Sequence, residues 1–310
     1  MRNISNNARE DLLALTTHNT HKPHWSRRDF MAGSMSSVVA GFALAAQPVC
    51  AQTMVHTGAL NLTARMVQVP TDNGTIPAYY AMPSMMRTPA SPSSLPIMVV
   101  VQEIFGVHEH IKDVCRRFAQ QGYLAIAPEL FHRQGDASKL KDNTEIFEQI
   151  VSKVSDWQVM RDIDATVRWA EINGGSRYKL GITGFCWGGR IAWLYPAHND
   201  YVKASVAWYG RLTGDISAAT PMHPLDVVNN IRVPVLGLYG ASDAGIPIKD
   251  IEQMKAALNK KLMSEPSTIH IYPDTPHAFF ADYRTSYREK EAIDGWDRCL
   301  AWFKRNGVNA

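Results

Sequence analysis

Tyr178-Lys179-Leu180-Gly181-Ile182-Thr183 runs without a break into Gly184-Phe185-Cys186-Trp187-Gly188-Gly189. The first six residues read as a strand. Glycines two before and two after Cys186 permit a sharp bend, because side chains there would strike the adjoining strand and helix. Residues 191–197 then read as a helix. A strand that bends tightly into a helix is the building unit of a parallel sheet covered on both faces.

The same alternation extends in both directions. Upstream, the continuous apolar run over 95–101 marks a strand buried on both faces. The spacing of Ile111, Val114, Cys115 and Phe118 predicts a helix over 107–121 that Gly122 ends, and a strand over 123–127 follows. A helical pattern fills 143–172, as one helix or two. Downstream, strands are expected at 202–208 and 233–239 with a loop over 210–230 between them. A helix over 249–260, a strand over 268–272 and a last helix over 287–304 complete the series. Ahead of all these, alternation over 65–69, the turn residues Thr71-Asp72-Asn73-Gly74 and an apolar run over 76–82 predict a β-hairpin with an Asn-Gly turn. A Pro/Ser-rich connection spans 83–96. The expected fold class is α/β, a mostly parallel central sheet flanked by helices behind an N-terminal hairpin.

The 310 residues are 45% hydrophobic and 20% charged, an ordinary globular composition with enough core to need no disulfide or metal staple. Residues 1–51 do not read as part of that core. Ser26-Arg27-Arg28-Asp29-Phe30-Met31 is a twin-arginine pattern. The soft apolar run over 31–46 is too short for a membrane span, and Val49-Cys50-Ala51 resembles a cleavage site. The expected organisation is a twin-arginine signal peptide over 1–51, a linker over 52–63 and a catalytic domain over 64–310. It implies a bacterial precursor handled by the Tat export machinery and delivered to the periplasm. The net charge of +3 falls to about +1 without the leader, which favours neither nucleic acid nor a membrane surface as partner of the mature form. Four cysteines without a CxxC pair or a clustered His/Cys set suggest no disulfide framework and no metal site. Cys115 and Cys299, on the first and last helices, read as two buried thiols.

In such sheets ligands gather at the carboxyl ends of the strands, so the reactive residues there matter most. Cys186 is lifted above the sheet by its bend and stands at a helix N-terminus, whose dipole favours a thiolate. Asp243, in Gly240-Ala241-Ser242-Asp243, follows the 233–239 strand. His277, in Pro276-His277-Ala278-Phe279, follows the 268–272 strand. Nucleophile, acid and base in this order is the order of α/β-hydrolases. His277 would exchange a proton with the thiol, and Asp243 would hold the imidazole in one tautomer. Asp274 is a rival acid, better read as a turn former before Pro276. The negative charge of a tetrahedral intermediate needs two main-chain donors. We assign the N–H of Trp187 and the N–H of Ile104, in Gln102-Glu103-Ile104-Phe105-Gly106. Glu103 would face the same site.

Those stretches, together with Ala127-Pro128-Glu129-Leu130-Phe131, resemble the dienelactone hydrolases, from about Ala64 onward. The resemblance implies an α/β-hydrolase fold without a large cap, a Cys186–His277–Asp243 triad, no cofactor and hydrolysis of a small-molecule ester or lactone. It also implies that Glu103 gates the resting thiol. The chain departs from the family where two arginines hold the substrate carboxylate: Ala278-Phe279-Phe280-Ala281 and Asn143-Thr144-Glu145 contain none. Arg133, Arg211 and Arg284 are the candidate replacements, and Trp187, Trp208 and Phe279 the candidate apolar lining. A non-catalytic binding protein on the same fold, or a Cys-dependent acyltransferase or peptidase, are the competing readings.

Overall fold

The computed structural model describes residues 55–84, 94–261 and 265–310; the expected leader, Cys50 and most of the Pro/Ser-rich connection fall outside them. In chain order the elements are β1 (Leu62–Thr71), β2 (Gly74–Pro83), β3 (Leu95–Val101), α1 (Glu109–Gln120), β4 (Leu124–Pro128), α2 (Asn143–Gln149), α3 (Asp156–Ile172), β5 (Gly175–Phe185), α4 (Trp187–His198), β6 (Val202–Trp208), α5 (Pro224–Val227), β7 (Val235–Gly240), α6 (Ile248–Asn259), β8 (Thr268–Tyr272) and α7 (Glu289–Arg305). The strands form one sheet in the order β1-β2-β4-β3-β5-β6-β7-β8. β2 runs antiparallel to both β1 and β4, and every other neighbouring pair is parallel.

Alternation along β3 divides the core, since successive side chains of a strand point to opposite faces. Met98 and Val100 pack with Phe118 of α1 and with Cys299 and Phe303 of α7. Ile97, Val99 and Val101 pack on the other face with Ile163 of α3. Cys115 and Cys299 thus share one face of the sheet, both buried and unbridged. Among the described residues no helix is long and apolar enough to cross a membrane.

Local structure revises or sharpens three expectations. The hairpin loop is Asp72-Asn73, because Thr71 pairs with Gly74. The positive φ falls on Gly74 (+101°) and not on Asn73, so the expected Asn-Gly turn gives way to one with glycine just after the bend. The helical stretch over 143–172 divides because Ser155 caps a new start: its Oγ accepts from the N–H of Gln158 at 3.2 Å. Order also begins before residue 64. Thr57 donates to Asp113 through its N–H (2.6 Å) and Oγ1 (3.1 Å), and its carbonyl accepts from Arg116 Nε (2.8 Å). The expected linker is therefore tied in part to α1.

Candidate active site

Parallel strands bring three loops to one edge of the sheet: those after β5, β7 and β8. At the first, Cys186 caps α4 with φ +55° and ψ −113°, a backbone conformation that a non-glycine residue adopts at a cost of about 1–3 kcal/mol. The bend is tight enough that a Cβ on Gly184 would fall 2.1 Å from the carbonyl oxygen of Gly188, and one on Gly188 would fall 2.4 Å from that of Val101. Two hydrogen bonds fix Cys186 itself. Its N–H donates to Trp208 O (3.0 Å), and its carbonyl accepts from Arg190 N–H in the first turn of α4 (3.2 Å).

The loops after β7 and β8 are stitched together by Ala241 N–H to Tyr272 O (2.9 Å) and Ser242 N–H to Thr275 O (3.0 Å). Asp243 Oδ1 accepts from Gly245 N–H at 2.8 Å. Its Oδ2 lies 2.6 Å from His277 Nδ1, which assigns the ring proton to Nδ1 and leaves Nε2 for the sulfur. Burial opposes charging of this ring, but the Asp243 carboxylate and the nearby Cys186 sulfur outweigh it and hold the His277 pKa well above its ordinary value. Asp274 is exposed on a turn with φ +51°, away from this pairing.

The loop after β3 forms the facing wall. Its Gln102–Gly106 segment is anchored by Glu129, whose two carboxylate oxygens each accept from Val107 N–H at 3.2 Å. Ile104 is buried in this loop. Trp187 is the first residue of α4, where an N–H has no intrahelical acceptor. Its ring rests edge-on against Phe131 at 4.7 Å.

Glu103 is buried and accepts from Tyr283 Oη at 2.7 Å. Its Oε2 also lies 3.4 Å from His108 Nε2 and 3.7 Å from Arg284 Nη2. Burial alone would raise the carboxyl pKa, but Arg284 and His108 together pull it well below the usual carboxylate range. His108 in turn is lowered by its burial, against the pull of Glu103. The partners of Glu103 are thus a tyrosine, an arginine and a histidine.

Three of the candidate pocket residues, Trp208, Phe279 and Arg133, are engaged elsewhere. Trp208 and Phe279 are 0% exposed. The indole of Trp208 donates to Thr183 Oγ1 (3.1 Å) and packs on Phe185 and Phe280, while Phe279 packs on Tyr209 and Tyr272. Both are core. The Arg133 fork is spent on Asp162 of α3 (2.6 and 3.0 Å) and on Thr71 of the hairpin (2.8 Å). Arg211 sits beside Gly214 and acts on His223. Arg284 is the cation that meets the site. It is 3% exposed, lies over the Phe105 and Tyr283 rings at 4.6 and 5.0 Å, and feels the Cys186 charge. Tyr209, Tyr283 and His108 complete the surroundings. Sequence reading passed over Tyr209, although its place one residue past β6, at the same edge as Cys186, was a usable signal.

The model of the Dienelactone hydrolase family matches residues 82–307. A Methylorubrum extorquens protein provisionally named a carboxymethylenebutenolidase is 52% identical over 299 residues, covering 96% of this chain and 98% of its own. A Bradyrhizobium protein provisionally named a 2-oxo-3-(5-oxofuran-2-ylidene)propanoate lactonase is 30% identical over 71% of this chain and 87% of its own. A Klebsiella pneumoniae crystal structure, provisionally named a dienelactone hydrolase, superposes with a TM-score of 0.75 at 51% identity, covering 79% of this chain and 99% of that one.

Proposed function

Because the chain belongs to the dienelactone hydrolase family, a family of α/β-hydrolase fold, we propose that it cleaves a small-molecule ester or lactone through a Cys186 acyl-enzyme. The observation that carries this reading is the His277 ring, held at 2.6 Å by Asp243 through Nδ1 and within electrostatic reach of the Cys186 sulfur at the same end of the sheet. His277 Nε2 takes the thiol proton as Sγ bonds to the carbonyl carbon. The carbonyl oxygen becomes an oxyanion that accepts from the N–H groups of Ile104 and Trp187. When that charge collapses, the C–O bond to the leaving oxygen breaks and His277 delivers the proton to it. A water then loses its proton to His277 and attacks the thioester. The acid departs, and Sγ recovers its proton. These steps draw on side chains, main-chain donors and water alone.

The test is hydrolysis of a panel of lactones and esters, with and without carboxylates, by the wild type and Cys186→Ala. We expect turnover that Cys186→Ala abolishes, and a thioester-linked acyl group on Cys186 detectable by mass spectrometry after acid quench of the wild type during turnover. Turnover that persists in Cys186→Ala would end the reading. Transfer of the acyl group to an added alcohol or amine in preference to water would convert it to acyl transfer.

The twin-arginine stretch at Arg27-Arg28 supports export of the precursor by the Tat machinery, with residues 1–51 removed and the enzyme acting in the periplasm. Cell fractionation of an Arg27→Lys, Arg28→Lys variant tests this. Wild-type protein should be periplasmic and begin at Gln52, and the variant should stay in the cytoplasm. Equal export of both would refute it.

A further inference from the structure

Tyr209 stands one residue beyond β6, 1% exposed, and its hydroxyl has no hydrogen-bond partner among the described residues. Other buried tyrosines differ. Tyr239 Oη donates to Gly210 O at 2.9 Å and accepts from Trp193 at 2.8 Å. Tyr272 Oη donates to Asp294 at 2.6 Å, and Tyr123 Oη to Val308 O at 2.8 Å. Leaving a buried hydroxyl unmet costs about 1–3 kcal/mol. The backbone adds a second cost, because Tyr209 holds φ at +38°, a region that bulky residues avoid.

Both costs serve to aim one side chain. The Tyr209 N–H is fixed to Leu238 O at 2.8 Å. The ring meets the His277 imidazole edge-on, with centroids 5.0 Å apart, and is backed by Phe279 at 5.4 Å. Its contact with the His277 ring puts the group at the triad, and Glu103, Tyr283, Cys186 and Arg284 act on it electrostatically. Burial, with Glu103, Tyr283 and Cys186 adding to it, pushes the phenol pKa well above its ordinary value. The group is therefore an O–H donor throughout the neutral range.

Building on the hydrolase reading, we propose that Tyr209 Oη donates a hydrogen bond to the leaving oxygen of the substrate, the ring oxygen of a lactone or the alkoxy oxygen of an ester. Two neighbours select that oxygen. The carbonyl oxygen is already served by the main-chain donors of Ile104 and Trp187. The leaving oxygen must come within reach of His277, which delivers its proton, and Tyr209 packs directly on that ring. As the C–O bond breaks, charge grows on the leaving oxygen, and a donor aimed there stabilises it before the proton arrives. The contribution depends on how poor the leaving group is. An alkoxide needs the donor, whereas a nitrophenolate spreads its own charge.

The experiment compares wild type and Tyr209→Phe on esters of one acid with leaving groups from p-nitrophenol to a simple alkanol, and on a lactone, with melting curves alongside. We expect kcat/KM to fall about 10- to 100-fold on the alkyl ester and the lactone and to stay within about threefold on the p-nitrophenyl ester. The melting temperature should hold or rise, because the variant removes an unmet polar group. Equal losses across the leaving groups, no loss on any, or a lowered melting temperature would overturn the role. Tyr239→Phe, which deletes a satisfied hydroxyl, should lower the melting temperature and show no dependence on the leaving group; the same leaving-group slope in that variant would also overturn it. Hydrolysis that survives Cys186→Ala would remove the hydrolase reading and this role with it. Cys186-dependent hydrolysis with equal losses removes the Tyr209 role alone.

Discussion

Asp243 and Glu103 show how two buried carboxylates at one site are given different tasks. Asp243 grips a histidine at 2.6 Å. Glu103 is gripped instead, by Tyr283, His108 and Arg284. The consequence for Asp243 is kinetic. In Asp243→Asn the amide can no longer stabilise an imidazolium or fix the tautomer, and kcat should fall about 10³- to 10⁴-fold, measured on any ester the wild type turns over. The consequence is also thermodynamic. The folded-state pKa of His277 is raised, so its protonation favours the folded chain. That contribution is complete below the unfolded value of about 6.5 and fades as pH climbs through the folded one. Denaturant melts across this window should show the fading in the wild type and a flatter profile in Asp243→Asn. For Glu103 the sign is opposite. Its lowered pKa contributes stability above the unfolded value of about 4.3 that is lost as acid protonates it.

At the scale of elements, the bend between β5 and α4 is the least forgiving part of the molecule. A methyl on Gly184 would have to share space with the main chain of Gly188, 2.1 Å from its oxygen, and backbone cannot rotate aside as a side chain can. Gly184→Ala should cost at least ~3 kcal/mol, read as a lowered denaturation midpoint or as insoluble expression. Wild-type stability in that variant would contradict the geometry. The bend was also the most legible feature of the sequence, because its glycines and its nucleophile are neighbours in the chain. Strands β3, β6 and β8 keep their expected bounds to the residue, but only β3 owes this to a run buried on both faces with no polar position to blur its ends; β8 is a half-exposed edge strand marked out by its alternating isoleucines. The hairpin turn was less so: Asp72-Asn73-Gly74 suits two turn geometries, and the pairing of Thr71 with Gly74 decides between them. Arg133 was misread for a related reason. Its partner Asp162 lies 29 residues away on α3, and only folding makes that pair.

Over the whole molecule, the wall opposite the triad is held by charges that no short window of sequence displays. Arg117 of α1 bridges Asp113 and Asp282, and His110 lies 3.2 Å from Asp282. The buried carboxylates Asp113 and Asp282, joined by the half-buried Arg117, clamp onto α1 the loop that presents Tyr283 and Arg284 to Glu103. Removing one partner of such a set strands a charge at a cost of about 3–5 kcal/mol, so the loop after β8 is fixed as firmly as a core element. The core also sets the fate of the sulfurs. Cys115 and Cys299 are 0% exposed, and burial pushes both thiols far up in pKa, whereas Cys186 keeps a 5% opening at the edge of the sheet. Among the described residues a haloacetamide therefore meets one accessible sulfur, in a chain from which the leader with Cys50 is removed. Reagent taken up per chain becomes a census of competent molecules, available before any natural substrate is in hand.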